Sequence, residues 1–326
     1  MAKRPLRFGP GARIVLLAIV VIIAWAWIPQ GTPRADCAGT SYAAWSDVSW
    51  NAQPVERVSV AHMASGARAR RLTYLYPYLS YLRKDGTFSP SYDHADAFVA
   101  EFRRADSRTK LLAWVGLPLT NDRPIGVHGW VDLDDPATRA QIVAFVAEQV
   151  RTAGYDGVHL NAEPVPNRSA GYLKLLEELR SELGPNKLVS VAVPHWVPVW
   201  LNAIPPLENL RWTSDYYQAV SERADQLVTM SYDSLMPVGW LYQVWMRIQV
   251  RGIARALRNS QSELLIGISV SREHTRTHNP AAENLTNGLK GVCAADRPQD
   301  VDGVAIYADW EFDPADQAVW EAWLSK

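Results

Sequence analysis

The sequence lacks any strong excess of charge of one sign. Its 33 Lys and Arg nearly balance its 34 Asp and Glu, and no run of Lys and Arg interrupts the part expected to fold. A protein whose main partner is nucleic acid carries a basic surface, so this partner class is excluded. Internal repeats, low-complexity tracts and signs of a second domain are also missing. One large globular domain is therefore expected.

Cysteine is almost absent as well. Cys37 and Cys293 are the only two, and neither has a Cys or His neighbour at the spacing of a metal site. No H-E-x-x-H motif is present, so neither a metal nor another cofactor is expected. In an exported protein, two lone cysteines predict one disulfide, here tying the N-terminal segment to a late loop. A pair of free buried thiols is the alternative.

Long hydrophobic runs are confined to the N-terminus. Several Lys and Arg precede the apolar run Ile14–Ile28, an order typical of export segments. The run is shorter than the roughly 20 residues of a comfortable membrane span. Residues 1–30 are therefore predicted to be a cleaved signal or a short membrane anchor, residues 31–41 a linker, and residues 42–326 the folded domain. The basic N-terminal side leaves that domain outside the cytoplasm, either secreted or tethered to the membrane.

The remaining chain alternates short apolar runs with segments of helical period. The predicted strands are Ala43–Val48, Leu72–Tyr78, Lys110–Val115, Gly157–Asn161, Lys187–Val193, Gln226–Met230, Leu264–Ser269 and Gly303–Tyr307. Examples of predicted helices are His94–Ala105, Pro136–Ala153, Gly171–Leu183, Leu241–Leu257 and Asp313–Leu324. This alternation predicts an α/β fold, a single (β/α)8 TIM barrel that needs no partner to fold, and hence a monomer. An open doubly wound sheet is the competing architecture, but no glycine-rich phosphate loop supports it.

The most informative stretch is Gly154–Pro164, which reads GYDGVHLNAEP. Alternate side chains of a strand share a face. The apolar face comprises Val158, Leu160 and Ala162. The polar face comprises His159, Asn161 and Glu163. A polar face predicts that these three side chains point into the barrel, with Glu163 at the C-terminal mouth, where barrel active sites lie.

This stretch resembles the signature D-G-x-D-x-D-x-E, which the family 18 glycoside hydrolases (chitinases and endo-β-N-acetylglucosaminidases) carry on the fourth strand. Asp156, Gly157 and Glu163 match it in place, whereas His159 and Asn161 stand where the family has its two inner aspartates. Residues 228–233 match the sixth-strand pattern M-x-Y-D, and a Trp follows the eighth strand, as in the family. The resemblance spans roughly residue 43 to the C-terminus.

The resemblance implies a retaining hydrolase of N-acetylglucosamine-containing glycans, in which the 2-acetamido carbonyl of the substrate is the nucleophile. By similarity, Glu163 is the general acid and then the base, Asn161 orients the acetamido group, and Tyr232 donates to its carbonyl oxygen. Asp233 is expected to contact the sugar, and Trp310 to form the floor of its subsite. The other residues expected to contact substrate are His159, Met230, Tyr76 and Trp196. Asp156 and Gly157 are expected to be structural.

The departures from the signature leave alternatives open. Asn161 cannot take up charge as an aspartate does, but its carbonyl can still hold the acetamido N–H, and Asn161–Glu163 also resembles the N-x-E of family 85. A charged imidazolium at His159 would weaken Glu163 as an acid, whereas a neutral one would only hydrogen-bond. Retention of Glu163 favours an enzyme, and loss of both aspartates favours a sugar-binding barrel without catalysis. A third hypothesis pairs Glu163 with Asp233 or Glu311 as two catalytic carboxylates.

Overall fold

The computed structural model describes Cys37 and residues 39–120, 128–198, 212–295 and 300–325. The predicted export segment, residues 1–30, lies outside them. Within the described part of the chain, no helix is long and apolar enough to cross a membrane.

Eight parallel strands close into a barrel in chain order, each paired with its sequence neighbours and β8 paired with β1. The strands are β1 Ser41–Ser46, β2 Tyr74–Tyr81, β3 Lys110–Pro118, β4 Gly157–Glu163, β5 Leu188–Val193, β6 Gln226–Met230, β7 Glu263–Ser269 and β8 Gly303–Tyr307. The predicted (β/α)8 TIM barrel is confirmed, and the open sheet is excluded.

Helices follow the strands and surround the barrel. In the described part of the chain they are α1 Ser49–Ala52, α2 Arg57–Ala69, α3 Ala95–Ala105, α4 Pro136–Ala153, α5 Ala170–Leu183, α6 Ser214–Ser221, α7 Gly239–Ala256, α8 Leu285–Cys293 and α9 Pro314–Leu324. Capping side chains explain several starts. Asp135 accepts from the backbone N–H groups of Ala137 and Thr138, each at 3.1 Å, and Asp313 completes a capping box before α9.

Three aspartates fix the starts of alternate strands. Asp156, Asp225 and Asp302 precede β4, β6 and β8, and each accepts from the backbone N–H of a residue near the start of the preceding strand, all at 2.7 Å. Gly157 follows the first of them, and a Cβ at this glycine would lie 2.0 Å from the Leu188 carbonyl oxygen. Asp156 and Gly157 therefore set the β3–β4–β5 register that places the end of β4.

The alternation expected along β4 is present. Val158, Leu160 and Ala162 belong to the large apolar layer between the barrel and its helices. His159 is fully buried inside the barrel, in contact with Trp45 and Tyr76. One face of β4 thus packs against the helices, and the other places polar side chains inside the barrel.

The two cysteines form the predicted disulfide, Cys37–Cys293. It joins the segment before β1 to the last residue of α8, across 256 positions of sequence. The alternative of two free thiols is excluded.

Candidate active site

A pocket of about 220 Å³ opens among the C-terminal ends of the strands. Its lining comprises Trp45, Trp114, Asn161, Glu163, His195, Met230, Tyr232, Asp233 and Tyr307. Five residues expected from the sequence thus meet in one place: Asn161, Glu163, Met230, Tyr232 and Asp233. The volume is below the roughly 300–1,000 Å³ of pockets for drug-sized ligands, so the pocket holds a small unit of any longer ligand.

Glu163 is the last residue of β4, and hydrogen bonds hold both its backbone and its side chain. Its carbonyl accepts from the Leu119 N–H at 2.8 Å, which pairs the end of β4 with the end of β3. Its carboxyl Oε2 accepts from Asn161 Nδ2 at 3.2 Å. The side chain reaches solvent through the mouth, but protein surrounds it otherwise, and this burial raises the pKa of Glu163. The hydrogen bond from Asn161 opposes that shift, and the charge of Asp233 adds to it.

Tyr232 and Asp233 follow β6 and face Glu163 across the pocket. The Tyr232 ring stacks on Tyr307 at 4.9 Å, and burial raises its pKa well above 10, so the hydroxyl remains a donor. The Asp233 backbone has φ 57°, a left-handed conformation uncommon for a residue other than glycine. Burial raises the pKa of Asp233, whereas His278 opposes the shift.

A chain of hydrogen bonds runs through the barrel below Glu163. Trp45 Nε1 donates to His159 Nε2 at 2.9 Å, and His159 Nδ1 lies 2.8 Å from Ser190 Oγ. An indole N–H can only donate, so His159 Nε2 accepts and the ring proton sits on Nδ1. Ser190 Oγ then donates to Gln226 Oε1 at 2.6 Å, and Gln226 Nε2 donates to Glu263 at 2.7 Å. When the imidazole of His159 is neutral, every hydrogen bond in this chain has one donor and one acceptor.

His159 and Tyr76, expected from the sequence to contact substrate, are not among the residues that line the pocket. Both side chains are 0% exposed, and their rings stack on each other at 4.0 Å. Burial lowers the pKa of His159 to about 3, so the ring carries no charge near neutral pH. It does not oppose the proton on Glu163. Strand parity predicts an inward direction for both residues, but both lie one layer beneath the pocket.

Trp196 is also not among the described residues that line the pocket. Its ring packs against Gly252 of α7 and lies 5.9 Å from the ring of Tyr217 in α6. Its backbone N–H donates to Gln249 Oε1 at 2.6 Å. Trp196 thus packs between the segment after β5 and the helices α6 and α7.

Trp310 does not form the floor of the pocket. It is 45% exposed and lines a neighbouring groove of about 400 Å³ with Trp50 and Asp309. Tyr307, the last residue of β8, takes the position at the pocket, and its ring lies 5.6 Å from Trp310. The family resemblance predicts Trp310 at the floor because the family keeps a Trp after the eighth strand, whereas here the aromatic ring in the pocket lining is that of Tyr307 at the strand end.

Sequence reasoning also missed Trp45 as a lining residue. The signal was available in part, because Trp45 alternates with Ala43 along β1 and both belong to the interior cluster. Glu311, considered above as a second carboxylate, lies outside the lining. Its carboxylate accepts from Ser271 Oγ at 3.1 Å and from the Arg272 N–H at 2.6 Å.

One cluster in the described part of the chain has the spacing of a metal site. Asp233, His278 and Glu283 offer ligand atoms within 4.8 Å of one another. His278 Nε2 lies 3.1 Å from the Ser271 carbonyl oxygen and Nδ1 lies 3.2 Å from Glu283 Oε2. The Ser271 carbonyl can only accept, so Nε2 donates, and an ionised Glu283 also accepts from Nδ1. In that state His278 is an imidazolium and has no lone pair left for a metal.

No family model matches the sequence, and no curated protein matches it. Solved structures do match. A class V chitinase from Pseudomonas fluorescens Pf-5 has a TM-score of 0.61 and 15% identity over 88% of this chain and all of its own. The spore cortex-lytic enzyme SleL of Bacillus cereus has a TM-score of 0.58 and 11% identity over 88% of this chain and 75% of its own.

A family 18 chitinase from Cycas revoluta, solved with (GlcNAc)4, has a TM-score of 0.57 and 13% identity over 87% of this chain and 99% of its own. At these identities the similarity defines the fold. The chain has the barrel fold of the family 18 glycoside hydrolases, and the resemblance noted in the sequence is confirmed at that level.

Proposed function

We propose that this protein is a glycoside hydrolase of N-acetylglucosamine-containing glycans, retaining and substrate-assisted, with Glu163 as general acid and base. The observation that carries the proposal is the pair Asn161–Glu163 in a small pocket with Tyr232 and Asp233. The similarity to chitinases solved with (GlcNAc)4 and with allosamidin supports a glycan as the ligand.

Glu163 has the property that a general acid requires. Burial and the negative charge of Asp233 raise its pKa, which keeps the proton available at a pH where an ordinary carboxyl has lost it. In the proposed reaction, Glu163 gives this proton to the glycosidic oxygen as the bond from C1 to that oxygen breaks. The acetamido carbonyl oxygen of the substrate attacks C1 and forms an oxazolinium ion. Glu163 then takes a proton from the water that opens the ring.

Asn161 supplies an acceptor for the acetamido group. Its Nδ2 donates to Glu163, whereas its Oδ1 is buried without a hydrogen-bond partner among the described residues. A buried acceptor without a partner costs about 1–3 kcal/mol, and the acetamido N–H is the donor that would satisfy it. The Tyr232 hydroxyl stays protonated and is the donor for the acetamido carbonyl. The neutral state of His159 leaves this arrangement undisturbed.

We further propose that the barrel works outside the cytoplasm. The basic and apolar N-terminal sequence is typical of export. The disulfide supports the same placement, because such bonds persist in oxidising compartments. The substrate would then be a surface or extracellular glycan.

Hydrolysis of a glycan panel by the full-length protein tests the proposal. The panel comprises N-acetylglucosamine oligomers, N-glycans and peptidoglycan fragments. We expect turnover of at least one member and a loss of about 10²-fold or more in kcat for Glu163→Gln, because a general acid contributes 10²–10⁴-fold. Glu311→Gln is the matched control, because this carboxylate lies outside the pocket.

The sugar-binding barrel is the alternative outcome. Wild type and Glu163→Gln would then bind the same glycans with equal affinity, and neither would release a product. Equal turnover by the two proteins would instead exclude Glu163 as the acid.

A further inference from the structure

Among the described residues that line the pocket, Asp233 is the one that can carry a negative charge beside the proposed acid. Of the described residues that line the pocket, two are acidic, Glu163 and Asp233. Asn161 contributes no charge, and Glu163 must keep its proton until the glycosidic bond breaks. When one of two neighbouring carboxyls ionises, its charge raises the pKa of the other. The site therefore works as proposed only if Asp233 loses its proton before Glu163 does.

The His278–Glu283 pair lies behind Asp233 and can decide this order. His278 Nδ1 lies 3.8 Å from Asp233 Oδ1 and 3.2 Å from Glu283 Oε2. Glu283 is fully buried, and its Oε1 accepts from the Ser234 N–H at 3.1 Å and from Ser234 Oγ at 2.9 Å. The same carboxylate therefore holds the imidazolium and the residue that follows Asp233.

On the basis of the proposed function, we infer that His278 and Glu283 are positioning residues that keep the negative charge on Asp233 and the proton on Glu163. Glu283 anchors the loop after β6 in the left-handed turn at Asp233. The imidazolium of His278 favours the ionised form of Asp233. The charge of Asp233 then favours the protonated form of Glu163. It also stabilises the positive oxazolinium, which the uncharged Asn161 cannot do by charge.

The other groups that act on this cluster support the same charge state. Burial alone would lower the pKa of His278, but Glu283, the Ser271 carbonyl and Asp233 together raise it above its ordinary value. Among the described residues, His195, Tyr232, Tyr242 and Tyr307 are titratable groups that interact electrostatically with Asp233 or Glu283. Burial lowers the pKa of His195 and raises those of the three tyrosines, so all four are neutral near pH 7. The charges that remain are those of His278, Glu283 and Asp233.

Nuclear magnetic resonance on the full-length protein tests the inference without activity. In protein labelled with ¹⁵N-histidine, we expect His278 to keep both ring protons above pH 6.5, the ordinary pKa of a histidine, because its neighbours raise its pKa. In protein labelled with ¹³C-aspartate, we expect Asp233 to titrate at a lower pH in wild type than in His278→Gln. Glu283→Gln keeps an acceptor for Ser234 but loses the charge, and it is expected to lower the pKa of His278, because Glu283 raises that pKa in wild type.

The pH profile of kcat/KM gives the functional readout. In His278→Gln the acid limb is expected to move to higher pH, because Asp233 becomes protonated there, with a loss of about three- to tenfold at the acid end. His274→Gln is the control and is expected to retain the wild-type profile.

Three results would overturn the inference. They are a neutral His278 in wild type at pH 7, an Asp233 midpoint that His278→Gln leaves unchanged, and displacement of the His278 ring protons by one equivalent of zinc chloride, which would identify a metal site. Absence of turnover by wild type on every glycan would instead count against the proposed function, and the two titrations would still decide the charge order.

Discussion

The buried histidine of β4 makes a sharp prediction about stability. His159→Leu introduces an apolar side chain of similar size and removes the acceptor for Trp45 Nε1, which is then a buried donor without a partner. Such a donor costs about 1–3 kcal/mol, and the lost bond to Ser190 about 0.5–1.5 kcal/mol more. The lost stacking on Tyr76 adds to this. We expect the variant to be about 2–5 kcal/mol less stable at pH 7.5.

The difference between the two proteins must shrink as the pH falls. His159 has a pKa of about 3 in the folded protein and 6.5 as its ordinary value. The unfolded chain therefore binds a proton that the folded protein does not, and wild type loses stability as the pH falls below 6.5. The loss is about 1.4 kcal/mol per pH unit, or about 2.7 kcal/mol at pH 4.5. His159→Leu lacks this group and escapes the loss.

Urea unfolding followed by tryptophan fluorescence at pH 7.5, 6.0 and 4.5 measures the difference. His274→Leu is the matched control, because His274 is exposed, and we expect it to differ from wild type by less than about 0.5 kcal/mol at pH 7.5. Burial also lowers the pKa of His195, but that residue is present in both proteins and cancels in the comparison. A difference between wild type and His159→Leu that stays constant from pH 7.5 to 4.5 would refute a buried neutral His159.

Further predictions concern the pocket, the groove and the disulfide. Asp233→Asn removes a charge that raises the pKa of Glu163, so the alkaline limb of kcat/KM is expected to move to lower pH; an unchanged limb in a pH–rate series would contradict this. Trp310→Ala is expected to raise KM several-fold for long oligomers but not for the shortest cleaved one, as steady-state kinetics on a length series would reveal. Cys37→Ser removes the disulfide that joins positions 256 residues apart, and we expect it to lower the free energy of unfolding by about 2–5 kcal/mol. In thermal unfolding, dithiothreitol should lower the midpoint of wild type and leave that of the variant unchanged.

Much of the fold follows from local patterns. Gln226–Met230 and Gly303–Tyr307 have the bounds predicted from the sequence, because turn residues flank short runs of apolar and β-branched residues. The first strand begins at Ser41 rather than Ala43, and strand ends are the least certain part of such predictions. Alternation along β4 was sufficient to place Asn161 and Glu163 in the barrel.

Depth along the barrel axis could not be predicted from alternation. Tyr76 pairs with Trp45 and His159 pairs with Trp114, both of which line the pocket. Tyr76 and His159 nevertheless stack on each other in a layer beneath Glu163. Parity alone gives the same inward direction for all of these residues. The distinction between Tyr307 and Trp310 likewise depends on where β8 ends, which differs by only a few residues of sequence.

The cluster behind Asp233 was out of reach for a different reason. His278 and Glu283 lie in the long segment between β7 and α8, and their contacts with Asp233 and Ser234 join positions 45 to 49 residues apart. No short motif marks such a contact. The left-handed turn at Asp233 and the charge on its carboxyl therefore emerge only from the folded chain.

The most direct test of the central claim compares two aryl glycosides that differ only at C2, one with an acetamido group and one with a hydroxyl. Release of the aryl group by the full-length protein would be followed for both, with Glu163→Gln in parallel. Because the acetamido carbonyl is the proposed nucleophile, we expect cleavage of the N-acetylglucosamine derivative alone and its loss in Glu163→Gln. Equal cleavage of both glycosides, or cleavage that Glu163→Gln retains, would contradict substrate-assisted hydrolysis at this site.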